Sequence, residues 1–291
     1  MSKAIILQHV PHEGPGRIIP LFRDFGIPTE VRHLYRGDEV PTDPDDIRVL
    51  VVLGGPMGVA DADKPEYPFL AKEIALLKRQ VELDRPTLGI CLGAQLLAFA
   101  AGARVYKNVK MGPPEGPGKP PKPVEPEVPL PEIGWGPVNL PFPGGTEPLM
   151  YGVIDNTPMF HWHFDTFDLP ALPRPANPAP PPAPPPPTGN ALMASTRTCR
   201  NQAFRFKNRL FGFQFHIETD KAGIDAMIAG NRQEALSVLG PDAEAKIKAD
   251  TDLHYSRYER ATNKILGNFV QFLHAYEGAS LIVQMSEDVK T

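Results

Sequence analysis

The sequence predicts an α/β fold: an open, mostly parallel sheet with helices on both faces, extended by C-terminal helices. Three observations predict it. Apolar, β-branched runs alternate with amphipathic stretches over the first hundred residues, the order that builds a parallel sheet with helical crossovers. The run IRVLVVLGG (residues 47–55) is β-branched and apolar apart from Arg48, as fits a strand covered on both faces. Glycine-containing turns follow both that run and PTLGI (residues 86–90), marking where a strand hands over to the next element.

The elements follow in order. AIILQHV (residues 4–10) reads as the first buried strand. A loop, PHEGPG, comes next, and then an amphipathic stretch to about Phe25. EVRHLY (residues 30–35) fits an edge strand, and IRVLVVLGG the next buried one. Tyr67, Leu70, Ile74, Leu77 and Val81 recur at steps of three and four, one apolar face of a helix. Pro65 is placed to suit its first turn. PTLGI is a short strand and LGAQLLAFAAGA (residues 92–103) a helix. ARVYKN, IGWGPVNL and MFHWHFDTF predict short strands between residues 103 and 167. ALMAST, QAFRFK and LFGFQFHIE predict three more, the last very apolar.

Beyond Glu218 the pattern turns helical. Ile224, Met227 and Ile228 make one short face. Tyr258, Ala261, Ile265, Phe269, Phe272 and Tyr276 line a long helix, whose apolar face is too large to leave in water and so docks on the sheet. Residues 1–218 are expected to form one domain, 219–278 helices packed on it, and 279–291 a fraying tail.

Composition narrows the function classes. With 291 residues, 42% apolar and 22% charged, the chain is an ordinary globular protein large enough for a real core. Its formal charge is −4 and no Lys/Arg cluster stands out, which argues against nucleic acid as a partner. The apolar run near the N-terminus is too short for a signal peptide, and no stretch approaches a membrane span. Two cysteines make no disulfide framework. A reduced, cytoplasmic protein is expected, with no membrane partner. Proline is the outlier, at 36 residues. Nine lie in residues 113–131 and eleven in 170–187; elsewhere proline has its usual frequency of roughly 5%. Two proline-rich inserts, about 112–131 and 170–188, should be solvent-exposed polyproline-type loops.

Cys91 carries the sharpest chemical signal. It sits between strand and helix with Gly89 before it and Gly93 after it. This is the pattern of a nucleophile elbow, a tight turn that exposes one side chain at the carboxyl edge of a sheet. The following helix presents the positive end of its dipole, which favours a thiolate. A buried, inert cysteine is the competing reading. Cys199, in TRTCRNQAF, lacks this context and reads as a packing residue. A thiol nucleophile needs a base. His216 ends the apolar run FGFQFHIE, and Glu218, two residues on, faces the same side of an extended chain. Glu218 can orient the imidazole and stabilise its cation; a strand-end histidine beside a solvated glutamate is the plain alternative. An oxyanion needs backbone donors. Gly54 and Gly55, in LGGPMGVAD, can bring bare N–H groups close, and Leu92 supplies the amide directly after the cysteine. The plain reading of GGPMG is a turn. HWHFDTF places His161, His163 and Asp165 on one strand face, a spacing that could hold a metal, although no further ligands are well placed. In PHEGPG, His12 and Glu13 fall near the same sheet edge.

Taken together, LQHVPHEGPG, VVLGGPMGVAD, PTLGICLGAQLLA, EIGWGPV, FHWHFDTFDLP, NQAFRF and GFQFHIE resemble the class I (triad) glutamine amidotransferases. The resemblance is to the stand-alone branch similar to the amidotransferase subunit of GMP synthase, and it covers nearly all of the chain outside the two inserts. It implies a flavodoxin-like sheet, no cofactor and no metal. It implies that Cys91 attacks the γ-amide of L-glutamine, giving a γ-glutamyl thioester and ammonia. His216 would act as base and then acid, and Glu218 would hold it. The oxyanion donors would be the amides of Gly55 and Leu92. Gly54, Met57, Gln95, Trp162, His163 and Asp165 would contact substrate. Many family members have Ser-His-Gly-Asp where this chain has Trp162, His163, Phe164 and Asp165. The inserts after Met111 and Leu169 depart from the family core. Residues 219–278 contain no phosphate-binding loop, so a separate synthetase would be the ammonia acceptor. Two other functions compete: a hydrolase of γ-glutamyl peptides or conjugates with the same three residues, and a scaffold whose PPPAPPPP recruits aromatic-groove domains.

Overall fold

The strands stack in the order that the alternating pattern requires. The computed structural model describes residues 2–113, 116, 122–171 and 189–288, with side chains up to residue 276. Seven strands form the central sheet: β1 (Lys3–Gln8), β2 (Thr29–His33), β3 (Ile47–Val52), β4 (Thr87–Ile90), β9 (Asn190–Ala194), β10 (Ala203–Phe206) and β11 (Leu210–Phe213). Their order across the sheet is β2-β1-β3-β4-β11-β10-β9. The first five are parallel, and β10 and β9 add an antiparallel edge. The run 47–52, apolar apart from Arg48, is the interior strand β3, and the mixed run EVRHLY is the edge, as expected.

Helices cover both faces. α2 (Pro68–Glu82) and α3 (Leu92–Ala100) bury Leu70, Ile74, Leu77, Leu96 and Leu97 in one core with Leu50 and Val52. α1 (Ile18–Asp24) and α6 (Ala243–Asp288) build the other, around Phe22, Phe211, Phe213, Tyr258, Ile265 and Phe269. α4 (Lys221–Gly230) and α5 (Arg232–Leu239) lead into α6. The α6 stripe read from the sequence is the buried one: Tyr258, Ala261, Ile265 and Phe269 are all at most 6% exposed. Four short strands lie outside the main sheet. β6 (Glu132–Val138) pairs antiparallel with β7 (Thr157–His163), and β5 (Val105–Lys107) with β8 (Asp165–Phe167).

Several local expectations change. Pro68, not Pro65, stands at the first position of α2, because residues 59–67 form successive tight turns that place the helix start three residues later. The segment MFHWHFDTF is two strands rather than one: the chain leaves β7 after His163 and restarts at Asp165, which pairs with β5. β11 ends at Phe213, and His216 lies beyond it, bridged to Phe160 of β7. Residues 122–130 of the first proline-rich insert are not a free polyproline loop. They fold back on residues 108–112 through bonds from Lys110 N to Val128 O, Gly112 N to Lys122 O, Val124 N to Lys110 O and Leu130 N to Asn108 O. Donors come from the non-proline residues, while Pro123, Pro126 and Pro129 stand between them, which is how proline is tolerated at a sheet margin. The helix α6 continues through residues 279–288, where a tail was expected. The second insert at 172–188, and with it PPPAPPPP, lies outside the described residues.

Candidate active site

Four parallel strands deliver their carboxyl ends to one place. Leu7 of β1 pairs with Val52 of β3, Val52 with Gly89 of β4, and Ile90 of β4 with Phe213 of β11. The residues just beyond these levels are His9 to Glu13, Gly54 and Gly55, Cys91, and His216 to Glu218. They meet at the edge where doubly wound sheets place their ligands.

Cys91 occupies the turn between β4 and α3 with φ 53° and ψ −111°. A non-glycine residue at positive φ is strained, at a cost of about 1–3 kcal/mol. The flanking glycines make the turn possible by proximity. A Cβ on Gly89 would lie 2.4 Å from Gly93 O, and one on Gly93 would lie 2.0 Å from Val52 O. Cys91 N donates to Phe213 O at 2.8 Å and Gly93 N to Leu53 O at 3.1 Å, so the elbow is tied to both neighbouring strands. The thiol points to Trp162 O at 3.4 Å.

His216 is fully buried, and its Nδ1 donates to Glu218 Oε1 at 2.7 Å. The second carboxylate oxygen accepts from Ile217 N at 2.9 Å. With Nδ1 carrying the proton, Nε2 presents a lone pair, and the Cys91 thiol is the group that interacts with this imidazole. Burial favours neutral imidazole, but the Glu218 carboxylate and the nearby sulfur outweigh it and hold His216 well above its usual value. Burial pushes the Cys91 thiol up, while His216 pulls it down. Desolvation of the anion is the largest influence on this buried thiol.

The cavity beside Cys91 has a volume of about 800 Å3, and its walls include Gly55, Met57, Leu92, Gln95, Trp162, His163 and Asp165. Gly54 does not line it. Its carbonyl accepts from His9 Nδ1 at 2.9 Å, and its Cα faces Glu13. Gln95 Nε2 donates to Gln214 Oε1 at 3.1 Å. Trp162 Nε1 donates to Glu234 Oε2 at 2.8 Å. The Asp165 carboxylate pairs with Lys107 at 2.7 Å and does not join the histidines; only its backbone carbonyl accepts from His163 Nδ1, at 2.9 Å. Glu132 takes its place: the ligand atoms of Glu132, His161 and His163 lie within 4.8 Å of one another. That carboxylate is already filled by protein donors, from His163 Nε2 at 2.8 Å, Thr196, Thr198 and Gln202. Burial pushes its carboxyl up, but these donors and the two imidazoles hold it down at about 2. It is a hydrogen-bond cluster at β7, in which His161 Nδ1 and Gln202 Oε1 keep no hydrogen-bond partner among the described residues. Cys199 is buried against Thr166, and desolvation pushes its thiol up to about 12, consistent with a packing role.

Sequence reading missed a layer of support. His9 donates from Nδ1 to Gly54 O and from Nε2 to Glu73 Oε2 at 2.9 Å. Burial disfavours the imidazolium, but Glu73 more than offsets this and raises His9 above its usual value. That buried cation pins the Gly54–Gly55 turn to α2. Gln214 places Nε2 3.8 Å from Cys91 Sγ. It precedes His216 by two residues, and the period-two rule that linked His216 to Glu218 extends to it. Asn231 and Glu234 bring the C-terminal helices into the cavity wall.

Residues 17–231 match the glutamine amidotransferase class-I family. The chain is 25% identical over 261 residues to YfeJ, a glutamine amidotransferase-like protein of Salmonella typhimurium, covering 88% of this chain and 91% of that one. It is 36% identical over 106 residues to the carbamoyl phosphate synthase small chain of Maricaulis maris, covering 33% of this chain and 25% of that one. Among solved structures, a glutamine amidotransferase of Thermotoga maritima superposes with a TM-score of 0.69 at 25% identity, covering 94% of this chain and 97% of that one. With the family match spanning most of its length, the chain belongs to the class-I glutamine amidotransferase family.

Proposed function

We propose that this protein hydrolyses the γ-amide of L-glutamine through a thioester on Cys91, giving glutamate and ammonia. The observation that carries the reading is the strained Cys91 elbow interacting with the His216 imidazole, whose Nδ1 is held by Glu218. His216 Nε2 takes the thiol proton, and Sγ attacks the amide carbon. The carbonyl electron pair moves onto oxygen, where the amides of Gly55 and Leu92 receive it. The C–N bond then breaks as His216 returns its proton to nitrogen. The oxyanion reforms the carbonyl, and the thioester is left. Water, deprotonated by His216, releases glutamate. Glu218 fixes the tautomer and stabilises the imidazolium in both halves. Met57, Gln95, Trp162, His163 and Asp165 line the space for the glutamyl group. Gly54 serves the turn rather than the substrate.

The catalytic unit in this reading is residues 1–218, with the helices of 219–278 packed on it. Similarity to the small chain of a synthase supports a separate ammonia-accepting synthetase as partner. No helix among the described residues is long and apolar enough to cross a membrane, and both cysteines are free, which supports the cytoplasm as compartment. The test is ammonia release from glutamine, together with the mass of the adduct left on Cys91 by a chloroketone analogue of glutamine. Equal release by wild-type protein and Cys91→Ala would remove the catalytic claim.

A second reading has its own observation. A cavity of about 800 Å3 is far larger than one free amino acid fills and falls in the upper range for small-molecule sites. γ-Glutamyl peptides or conjugates would use that space. A panel of γ-glutamyl amides decides: a higher kcat/KM for the conjugates than for glutamine favours this reading, and the reverse order rejects it.

A further inference from the structure

Glu13 is a carboxylate in an unusual position. It is only 5% exposed, yet it lines the same cavity as Cys91, and its carboxylate oxygens are not among the buried atoms left without a partner, so they open to that cavity. Its oxygen and the catalytic imidazole converge on one point: a Cβ on Gly54 would lie 2.1 Å from Glu13 Oε2 and 3.2 Å from His216 Cε1. The loop that carries it is fixed. His12 Nε2 bonds Asn231 Oδ1 at 3.1 Å, Arg17 N donates to Glu218 O at 2.8 Å, and Gly16 packs on that same carbonyl, where a Cβ would come within 2.2 Å. The other carboxylates of the cavity are engaged. Asp61 holds Gly58 N and Lys64, Asp165 holds Lys107, and Glu234 holds Trp162 Nε1. Burial pushes the Glu13 carboxyl up, and the His216 cation opposes this. An acceptor that opens to the cavity is placed to take its donor from the substrate.

We propose that Glu13 accepts a hydrogen bond from the N–H of the scissile γ-amide and so aims the leaving nitrogen at His216. The inference rests on the γ-glutamyl amide reading above and deepens it. In the tetrahedral intermediate the nitrogen carries two N–H bonds and one lone pair. The lone pair must face His216 Nε2 to receive its proton. Holding one N–H on Glu13 fixes rotation about the C–N bond with the lone pair turned to the imidazole. The proton then passes from Nε2 to nitrogen, the C–N electron pair leaves with it, and the oxyanion pair reforms the carbonyl. Glu13 exchanges no proton. An ester leaving group has no N–H and lone pairs to spare, so it needs no such acceptor. Glu13 therefore makes the site selective for amides over esters.

The experiment compares L-glutamine with the γ-methyl ester of L-glutamate, using the full chain as wild type, Glu13→Leu and Glu13→Gln. Losing one hydrogen bond to a charged acceptor should lower kcat/KM for glutamine about thirtyfold in Glu13→Leu. Ester cleavage should fall less than threefold, which also reports that the variant is folded. Glu13→Gln keeps an acceptor oxygen without the charge, and should lose about fivefold on the amide alone. If Glu13→Leu loses its fold, the same amide-selective loss is required of Glu13→Gln. Equal losses on both substrates, or none on either, overturn the assignment while leaving the γ-glutamyl reading standing. Wild-type protein that cleaves neither substrate overturns both.

Discussion

Gly93→Ala tests whether the elbow works by close approach of backbones. Gly93 is not among the residues with positive φ, so a side chain there meets no dihedral penalty. It meets space instead. The new Cβ would sit 2.0 Å from Val52 O and 2.6 Å from Val52 C. Ordinary contact begins near 3.4 Å, so α3 and β3 would have to separate by more than an ångström. Val52 is completely buried in the middle of the sheet, and neither element can yield without disturbing the core. Forcing one methyl group into a packed interior costs typically about 1–3 kcal/mol, and backbone on both sides places this case near the upper figure. The catalytic loss should be larger than the stability loss. Gly93 N donates to Leu53 O, so the shift would break the bond that seats Leu92 beside Gly55. Misplacement by about 1 Å costs roughly a hundredfold in rate. Denaturant unfolding and ammonia release measure the two effects. Gly267→Ala, in α6 with nothing within 4 Å, is the control and should be neutral or slightly stabilising. Gly93→Ala with stability within about 0.5 kcal/mol and kcat/KM within about threefold of wild type would refute the argument.

Three further predictions address charge. Glu218→Gln removes the anion that favours the His216 cation; the thiolate loses that cation in turn, so alkylation of Cys91 should inflect at higher pH, and an unchanged profile would count against the coupling. The Glu132 carboxyl sits at about 2 against an ordinary 4.5. A depressed carboxyl stabilises the fold above the unfolded value and loses that contribution as pH falls from 4.5 toward 2, worth about 3 kcal/mol at neutral pH. Unfolding free energy followed against pH should therefore fall more steeply in wild type than in Glu132→Gln, and parallel curves would show the cluster to be energetically idle. Cys199, with its thiol up at about 12, should resist iodoacetamide at neutral pH while Cys91 reacts; peptide mass mapping that finds Cys199 labelled first would reverse the assignment of the two cysteines.

The fold was legible because its signals are local. Apolar β-branched runs with glycine stops mark β1, β3 and β4, and the three-and-four spacing marks α2 and the buried stripe of α6. The elbow was legible for the same reason: Gly89 and Gly93 bracket Cys91, and the contacts they prevent are with the next strand and the next turn. His216 and Glu218 were readable from period-two alternation, even though β11 stops at Phe213, since extended backbone keeps that period with or without a ladder. Alternation fails where the chain bends, and Phe164 is such a place. Asp165 therefore leaves the face of His161 and His163, and Glu132, from a strand about thirty residues earlier, fills it.

What stayed hidden is the part of the site assembled from remote pieces. His12 finds Asn231 across 219 positions, and His9 finds Glu73 across 64. No spacing rule connects such pairs. Glu13 shows why this matters for function. In sequence it is one polar residue in a proline- and glycine-rich turn. Its chemistry comes from what surrounds it: His216 from beyond β11, Gly54 from the turn after β3, and a loop clamped by the start of α5. A triad motif states which atoms break the bond. The proposed acceptor lies on the loop after a different strand, β1, and only the assembly of the sheet brings that loop to the same edge.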